Sequence, residues 1–409
     1  MSIAIIGGGI GGLSLALALH ARGIACDVYE AVPEVREIGV GITLLPHAMR
    51  ELAALGLQPQ IEAAGIENLE SVFFNRWGQY IYREPRGRHG GYSIPEIGIP
   101  RGKLHAILYE ATRQRIGDAH LHLDHRFARL EQDDEGVTLH FHDAGGKARS
   151  IARAGIVIAC DGVNSAVRRQ FYPDEQLAFG GINTWRGVTV HPPILTGKSY
   201  LRIGSIDTGK MVIYPIADNV DGRGSQLVNW VAEIKREGQP MNDWNQAGRA
   251  GDFVNIFKDW RYDWLDVPAL IEGADNIFEY PMVDKDPVAQ WTFGRVTLLG
   301  DAAHPMYPRG SNGSAQAIID ARTLTHLLAE GGDSAQALKR YEALRLPATA
   351  KIVETNRTVP PDFINIRVDA LSGGQPFAHI DEVISQDELR RMSDEYKRVA
   401  GFSLEAMKG

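Results

Sequence analysis

Cysteine is nearly absent: Cys26 and Cys160 are the only two in 409 residues. That leaves neither a disulfide framework nor a Cys-rich metal centre, and it suits a reducing compartment. None of the 13 histidines forms an HExxH or similar ligand pair, so no metal is expected. Basic runs are missing too, and the net charge is −8. Without clustered Lys and Arg the chain has little to offer nucleic acid or an anionic membrane surface. The one long uncharged stretch, Ile3 to Leu19, is interrupted by five glycines and has no basic residue before it. It is also shorter than the ~20 apolar residues of a membrane span. A soluble, cytoplasmic protein is expected.

Glycine is what the chain has in excess, with 44 residues, about 11% against a usual ~7%. No Gly-X-Y period accompanies them, so the excess is local. The length itself predicts two or three domains.

The first concentration lies at the amino terminus. Ser2 to Ile6 reads as an apolar strand buried on both faces, and Leu13 to Arg22 as a helix. Ala25 to Glu30 reads as the next strand, completing a βαβ unit. Gly7-x-Gly9-x-x-Gly12 falls at the strand-to-helix turn. There Gly7 permits the turn, Gly9 lets a pyrophosphate approach, and Gly12 lets helix and strand pack closely. The helix N-terminus offers free N–H groups to phosphates. Glu30, ending the second strand, is placed to accept hydrogen bonds from ribose hydroxyls. Dinucleotide binding follows, with NAD and FAD both open at this point.

Two further buried-strand patterns end in acidic turns. Ile156 to Cys160 runs into Asp161-Gly162, and Arg295 to Leu299 runs into Gly300-Asp301. Each puts an Asp at a strand's carboxyl end, where open α/β sheets bind ligands. After the second comes a glycine-rich loop, Met306 to Gly313, and then a helical stretch from Ser314 to Ala329, a second potential anion site.

In this order the motifs resemble the single-component, FAD-dependent aromatic hydroxylases (class A flavoprotein monooxygenases). The likeness rests on the GxGxxG with Glu30, the Arg101-Gly102-Lys103-Leu104 segment, Asp161-Gly162 and Gly300-Asp301, and covers roughly residues 1 to 350. Among subgroups the chain looks most similar to the phenazine-modifying hydroxylases. Gly39-Val40-Gly41-Ile42, Trp185-Arg186-Gly187-Val188 and His304-Pro305-Met306-Tyr307-Pro308 carry that similarity.

The resemblance implies an α/β fold: a Rossmann-like FAD-binding domain interleaved with a mostly antiparallel substrate-domain sheet, plus C-terminal helices. It implies FAD as cofactor and NAD(P)H as a transient reductant. Gly7, Gly9 and Gly12 would hold the pyrophosphate, Glu30 the adenosine ribose, and Arg101 would approach the pyrophosphate and ribityl chain. Asp301 would bond a ribityl hydroxyl, and Gly310, Ser311, Asn312 and Gly313 would pass N–H groups under the flavin pyrimidine. Asp161 would sit behind the pyrophosphate, while Arg36 and Thr43 would flank the flavin. Asp161 and Asp301 also suit helix N-caps. His304 carries no assigned role.

The domain boundaries expected are 1–70, 100–178 and 284–345 for the FAD-binding domain, 71–99 and 179–283 for the substrate domain, and 346–409 for a helical region. Leu389 to Gly401 has the spacing of a surface or packing helix. Pocket candidates are Trp185, Met211, Tyr214, Pro308 and Arg309. Relatives with carboxylated or urate-like substrates place an Arg near Lys210-Met211-Val212. Met211 standing where that cation would point inward argues for an apolar substrate, or one oriented from elsewhere. Arg309 either points to solvent or sets a cation beside substrate or flavin.

The function implied is an NAD(P)H- and O2-dependent monooxygenase that hydroxylates an aromatic or N-heteroaromatic small molecule through a flavin hydroperoxide. The helix near Ser314 would aim its N-terminal dipole at the flavin N1–C2=O edge and favour the anionic reduced ring. A decarboxylative hydroxylase, an epoxidase and a non-catalytic flavin-containing ligand binder are the alternatives. No catalytic residue is assigned, and the oligomeric state is not readable.

Overall fold

The computed structural model describes residues 2–34, 39–236 and 246–408. Its centre is a six-stranded sheet in the order Thr292–Phe293, Val296–Leu298, Ile156–Ala159, Ile3–Ile6, Asp27–Tyr29, Leu121–His122. Every pairing is parallel except the Thr292–Phe293 edge. Ile3 to Ile6 face Ile156 to Ala159 residue for residue, and Val157 to Ala159 face Val296 to Leu298. The register brings three glycine turns to one edge of the sheet: Gly7, Gly162 and Gly300.

Both faces of this sheet are covered, which is why its strands carry unbroken apolar runs. On one side the helix Ile10–His20 lies between the helices Arg101–Ile116 and Gly313–Ala329. On the other, a three-stranded antiparallel sheet spanning 126–154 contributes Phe127, Leu130, Leu139 and Phe141 to the core around Ile3, Ile5 and Ile158.

The second body is an eight-stranded sheet, antiparallel but for one pairing. Its order is Gln246–Ala247, Ile277–Asp284, Ala178–His191, Gln226–Lys235, Gly209–Ala217, Ser199–Ser205, Glu70–Phe74, Tyr80–Pro85. The last two strands come from the early insertion, and Glu70–Phe74 joins Ser199–Ser205 in parallel. A strand alternates its side chains between faces. Here the back face, with Val72, Leu201, Met211, Ile213 and Trp230, packs against Phe253, Phe257 and Leu270. The front face carries Tyr200, Val212, Tyr214 and Ile216. That face meets the cofactor unit through a small sheet of Gly41–Leu44, Ile97–Pro100 and Ile66–Glu67. One tie is the Gly41 amide donating to Asn229 Oδ1 at 2.7 Å.

Two of the expected pocket residues belong to the back face. Met211 is fully buried in the back-face core, and Trp185 stacks on Phe253 there at 4.7 Å. The physical reason is the two-residue period: Lys210, not Met211, shares its face with Val212 and Tyr214's side of the strand. The argument from Met211 to an apolar substrate therefore falls.

Three helices end the chain: Ser334–Thr358, Phe363–Ser372 and Gln386–Ala400. The last buries Leu389, Tyr396 and Ala400. Among the described residues, no helix is long and apolar enough to cross a membrane. Among the described residues, no group of three or more His, Cys, Asp or Glu side chains is placed to hold a metal.

Candidate active site

At the first turn, Gly7 has φ +106°, and a Cβ there would lie 2.4 Å from the Cys160 carbonyl oxygen. A Cβ on Gly12 would meet the Gly7 carbonyl oxygen at 2.0 Å. At Gly9 a Cβ would meet nothing within 4 Å. Two glycines are thus required by the chain's own packing. The third leaves open space beside the N-terminus of a helix, which fits an approaching pyrophosphate. Glu30 turns back on the same loop, accepting from the Gly8 amide at 2.6 Å and the Val32 amide at 2.9 Å. His105, one turn beyond Arg101, places its Nε2 2.6 Å from the Gly8 carbonyl. Arg101 opens its helix on the surface, its amide donating to Val40 O at 2.9 Å.

The Asp161 turn is built as a helix start. Its carboxylate accepts from the Ser165 hydroxyl and from the Val167 amide, and Ser165 Oγ caps the Arg168 amide at 2.9 Å. Burial pushes the Asp161 carboxyl upward in pKa despite these bonds. The same short helix supplies Arg168, whose fully buried guanidinium pairs with Glu175. It also donates to Ala302 O at 3.0 Å and Ala303 O at 2.6 Å. One acidic turn is therefore bolted to the backbone of the other.

The Gly300-Asp301 turn is held from below by Asp320. That carboxylate accepts from the Gly300 amide at 3.2 Å and from Arg345 Nε at 2.6 Å, and lies 2.6 Å from His304 Nε2. Burial opposes its charge, but His304 and Arg345 outweigh burial and hold the carboxyl below its usual range. His304 is thus held through Nε2, while its buried Nδ1 has no hydrogen-bond partner among the described residues. Asp301 itself stays exposed, 3.6 Å from where a Cβ on Gly313 would stand.

The following loop is fixed from the C-terminal side. Gly310 has φ +86°, and a Cβ there would lie 1.9 Å from the Tyr396 hydroxyl. Asn312 Nδ2 donates to that hydroxyl at 2.8 Å, and the hydroxyl donates to Asn356 Oδ1 at 2.9 Å. Ser311 adopts φ +56°, unusual for a residue with a side chain. Pro308 is exposed. Arg309 is 7% exposed and pairs with Asp362 at 2.6 Å, so it does not point to solvent. Asp362 also takes Lys210 at 3.2 Å, and Lys210 takes Glu233 at 2.9 Å. These four charges close on one another between the sheet, the loop and the C-terminal region.

The front face of the large sheet completes the enclosure. Tyr214 stacks on Tyr200 at 4.9 Å, with planes 8° apart. Burial first, then the neighbouring Tyr200, raises the Tyr214 pKa well above the usual phenol range, and Thr43, also buried, lies beside its hydroxyl. His47 is fully buried, stacked on Phe402 at 5.1 Å, and burial lowers its pKa to about 3. Arg36 lies outside the described residues.

Sequence reasoning missed Arg168, Asp320, Tyr396, Lys210 and His47. Only Lys210 had a local signal, as a charged residue within an apolar strand. The others act through contacts between distant segments, such as Arg168 with Ala303, 135 positions away, and Tyr396 with Asn312, 84 positions away.

A family profile for an FAD binding domain matches residues 1–247 and 278–356. The phenazine 1,6-dicarboxylic acid hydroxylase of Lysobacter antibioticus is 39% identical over 361 residues, covering 87% of this chain and 89% of that one. A 3-amino-4-hydroxybenzoate 2-monooxygenase of Streptomyces platensis is 33% identical, covering 87% and 86%. The 6-hydroxynicotinate 3-monooxygenase of Bordetella bronchiseptica is 29% identical, covering 86% and 89%. In fold, the chain is similar to Klebsiella pneumoniae HpxO, crystallised with FAD and uric acid. That match has a TM-score of 0.77 at 24% identity, covering 100% of this chain and 97% of that one. The glycine turns, the acidic strand ends and these relatives agree: the chain belongs to the FAD-binding family of flavoprotein aromatic monooxygenases.

Proposed function

We propose that this monooxygenase hydroxylates a planar aromatic or N-heteroaromatic acid, using NAD(P)H and O2. The observation that carries the reading is the aromatic front face of the eight-stranded sheet, where Tyr200 stacks on Tyr214 beside the Ile97–Pro100 strand. The named substrates of the relatives, phenazine dicarboxylate, aminohydroxybenzoate and hydroxynicotinate, are flat ring acids.

Gly7, Gly9 and Gly12 would hold the FAD pyrophosphate, with Arg101 as its counter-cation and Glu30 on the ribose. Asp301 would take a ribityl hydroxyl, and the Gly310–Gly313 amides the pyrimidine edge. When bound, FAD supplies electron transfer from the nicotinamide and the activation of O2. The chain's own residues do the rest. The Gly313–Ala329 helix turns its N-terminus to the loop, where negative charge is favoured. The two tyrosines offer a stacking platform, and Tyr214, held protonated by its burial, offers a hydrogen-bond donor. The large sheet, proposed here as the substrate domain, keeps water from the ring.

Product mass tests the reading. One added oxygen is expected, with consumption of one NAD(P)H per product. Loss of CO2 as well would favour the decarboxylative alternative, and flavin that stays oxidised on mixing with NADH or NADPH would favour a binding protein.

A further inference from the structure

Two helices pack together behind the glycine loop: Pro46–Ala54, and Gly313–Ala329, which leaves the loop directly. Farther along this pair lies an open cleft. Its walls are Arg50, Glu51 and Ala54 from the first helix, Arg322 from the second, and Ala406 from the last segment of the chain. The cleft has a volume of about 370 Å³. Small-molecule sites run from roughly 300 to 1,000 Å³, so a compact ligand fits.

The charges in the cleft are ordered but not balanced. Glu51 is 7% exposed and lies between the two arginines. Arg50 Nε donates to one of its oxygens at 3.2 Å, and Arg322 Nε lies 3.5 Å from the other. Both contacts use Nε. Among the described residues, the terminal nitrogens of the two guanidiniums have no protein partner. One carboxylate against two guanidiniums leaves one positive charge in excess. Ala54 and Ala406 are exposed and too small to fill the space in front of them.

A guanidinium is a planar fork of donors, and two of them turned to one cleft suit a phosphate, with its three terminal oxygens and up to two negative charges. The chain has a single GxGxxG turn, Gly7 to Gly12, and the FAD pyrophosphate would take it. A second phosphate-bearing ligand therefore needs a site of another kind.

We propose that this cleft binds a phosphomonoester, with its phosphate held between Arg50 and Arg322. Two sources carry that group. One is the 2′-phosphate of NADPH, in which case the two arginines set the choice between NADPH and NADH. The other is a free phosphorylated metabolite. The first source rests on the NAD(P)H-dependent reading above; the cleft itself does not.

The FAD-loaded protein is titrated with inorganic phosphate, with adenosine 2′-monophosphate and with adenosine as the uncharged control. Ionic strength is held constant with sodium chloride, so that general screening is the same throughout. Calorimetry is expected to show saturable binding of both phosphate compounds and none of adenosine. Arg50→Gln and Arg322→Gln should each weaken phosphate binding at least about tenfold. Ala54→Glu leaves both contacts to Glu51 in place and should weaken it as much, by adding a carboxylate to the cleft. All three side chains reach solvent, so the variants are expected to fold. Kinetics separates the sources: a KM for NADPH raised at least about tenfold, with that for NADH changed less than about twofold, assigns the phosphate to the coenzyme. Phosphate binding lost with both KM values unchanged assigns it to a free ligand. No saturable binding of either phosphate compound to the wild type, or binding that all three variants leave unchanged, overturns the proposal. Flavin that neither NADH nor NADPH reduces overturns the reductant reading alone, because the calorimetry does not depend on it.

Discussion

Single side chains at the cofactor turn show how differently three glycines can be required. Gly12→Ala forces a Cβ to 2.0 Å from the Gly7 carbonyl oxygen, a backbone atom that cannot step aside. It should cost about 1–3 kcal/mol of stability, with or without FAD. Gly9→Ala adds a methyl in open space at an extended position, φ −77° and ψ −174°. Its apo-protein should stay within about 0.5 kcal/mol of wild type. Denaturant titration of both apo-proteins, with FAD affinity from fluorescence quenching, checks the pair. The expected result is that Gly9→Ala loses affinity without losing stability. His47 gives a second prediction at this scale. Its folded pKa, near 3, lies below the unfolded value of about 6.5, so the native state excludes a proton that the unfolded chain accepts. Its contribution to stability is complete above pH 6.5 and falls with pH, by at most about 1.4 kcal/mol per unit, until about pH 3. Replacing His47 with Gln should flatten the midpoint-against-pH curve between pH 6.5 and 4.5.

Elements rather than residues decide how the glycine loop is held. The Gln386–Ala400 helix reaches the loop through Tyr396, which links Asn312 to Asn356, and Gln316 Nε2 donates to Ala400 O at 3.2 Å. Its spacing of apolar and charged residues suggests a surface or packing helix, and it packs through Leu389, Tyr396 and Ala400. What it packs against was illegible, because Tyr396 and Asn312 lie 84 positions apart. Tyr396→Phe keeps the ring and removes the hydroxyl, leaving two buried amides short of a partner at about 1–3 kcal/mol. The variant should fold, bind FAD more weakly and release more hydrogen peroxide per NAD(P)H oxidised. Peroxide yield by a coupled assay, beside product yield, measures it. The strand register taught the same lesson in reverse. Lys210-Met211-Val212 was readable as a strand, but which of the two faces met the cofactor unit was not, and a one-residue error exchanged Lys210 for Met211.

Across the whole molecule, the C-terminal region ties the cofactor unit to the large sheet, and Glu84 is the knot on the sheet side. It takes Arg86 at 2.9 Å, Lys397 at 2.7 Å and the Ser393 hydroxyl at 2.6 Å. Burial works against its charge, but Arg86 and Lys397 prevail and bring its pKa down to about 2. Its stabilisation is therefore present above the unfolded value of about 4.3 and lost as pH falls toward 2. Glu84→Gln takes one carboxylate from buried Arg86 and half-buried Lys397, which keep Glu96 and Asp394, and should cost about 1–3 kcal/mol at pH 7. It should also reduce the acid slope of the melting temperature between pH 4.5 and 2.5. Scanning calorimetry across that range reads both effects. The sequence by itself determined the buried parallel strands and the glycine turns, because those depend on residues within a few positions of one another and on apolar runs that only a doubly covered strand tolerates. FAD as the cofactor came from the resemblance of the motifs, in their order, to the FAD-dependent hydroxylases. Tertiary structure alone decided which face of the substrate sheet looks inward. It also buried Arg309 against Asp362 and brought Tyr396 onto the loop. Those outcomes are set by contacts between segments far apart in the chain, where charge balance and packing become defined only once the two sheets and the last helix have met.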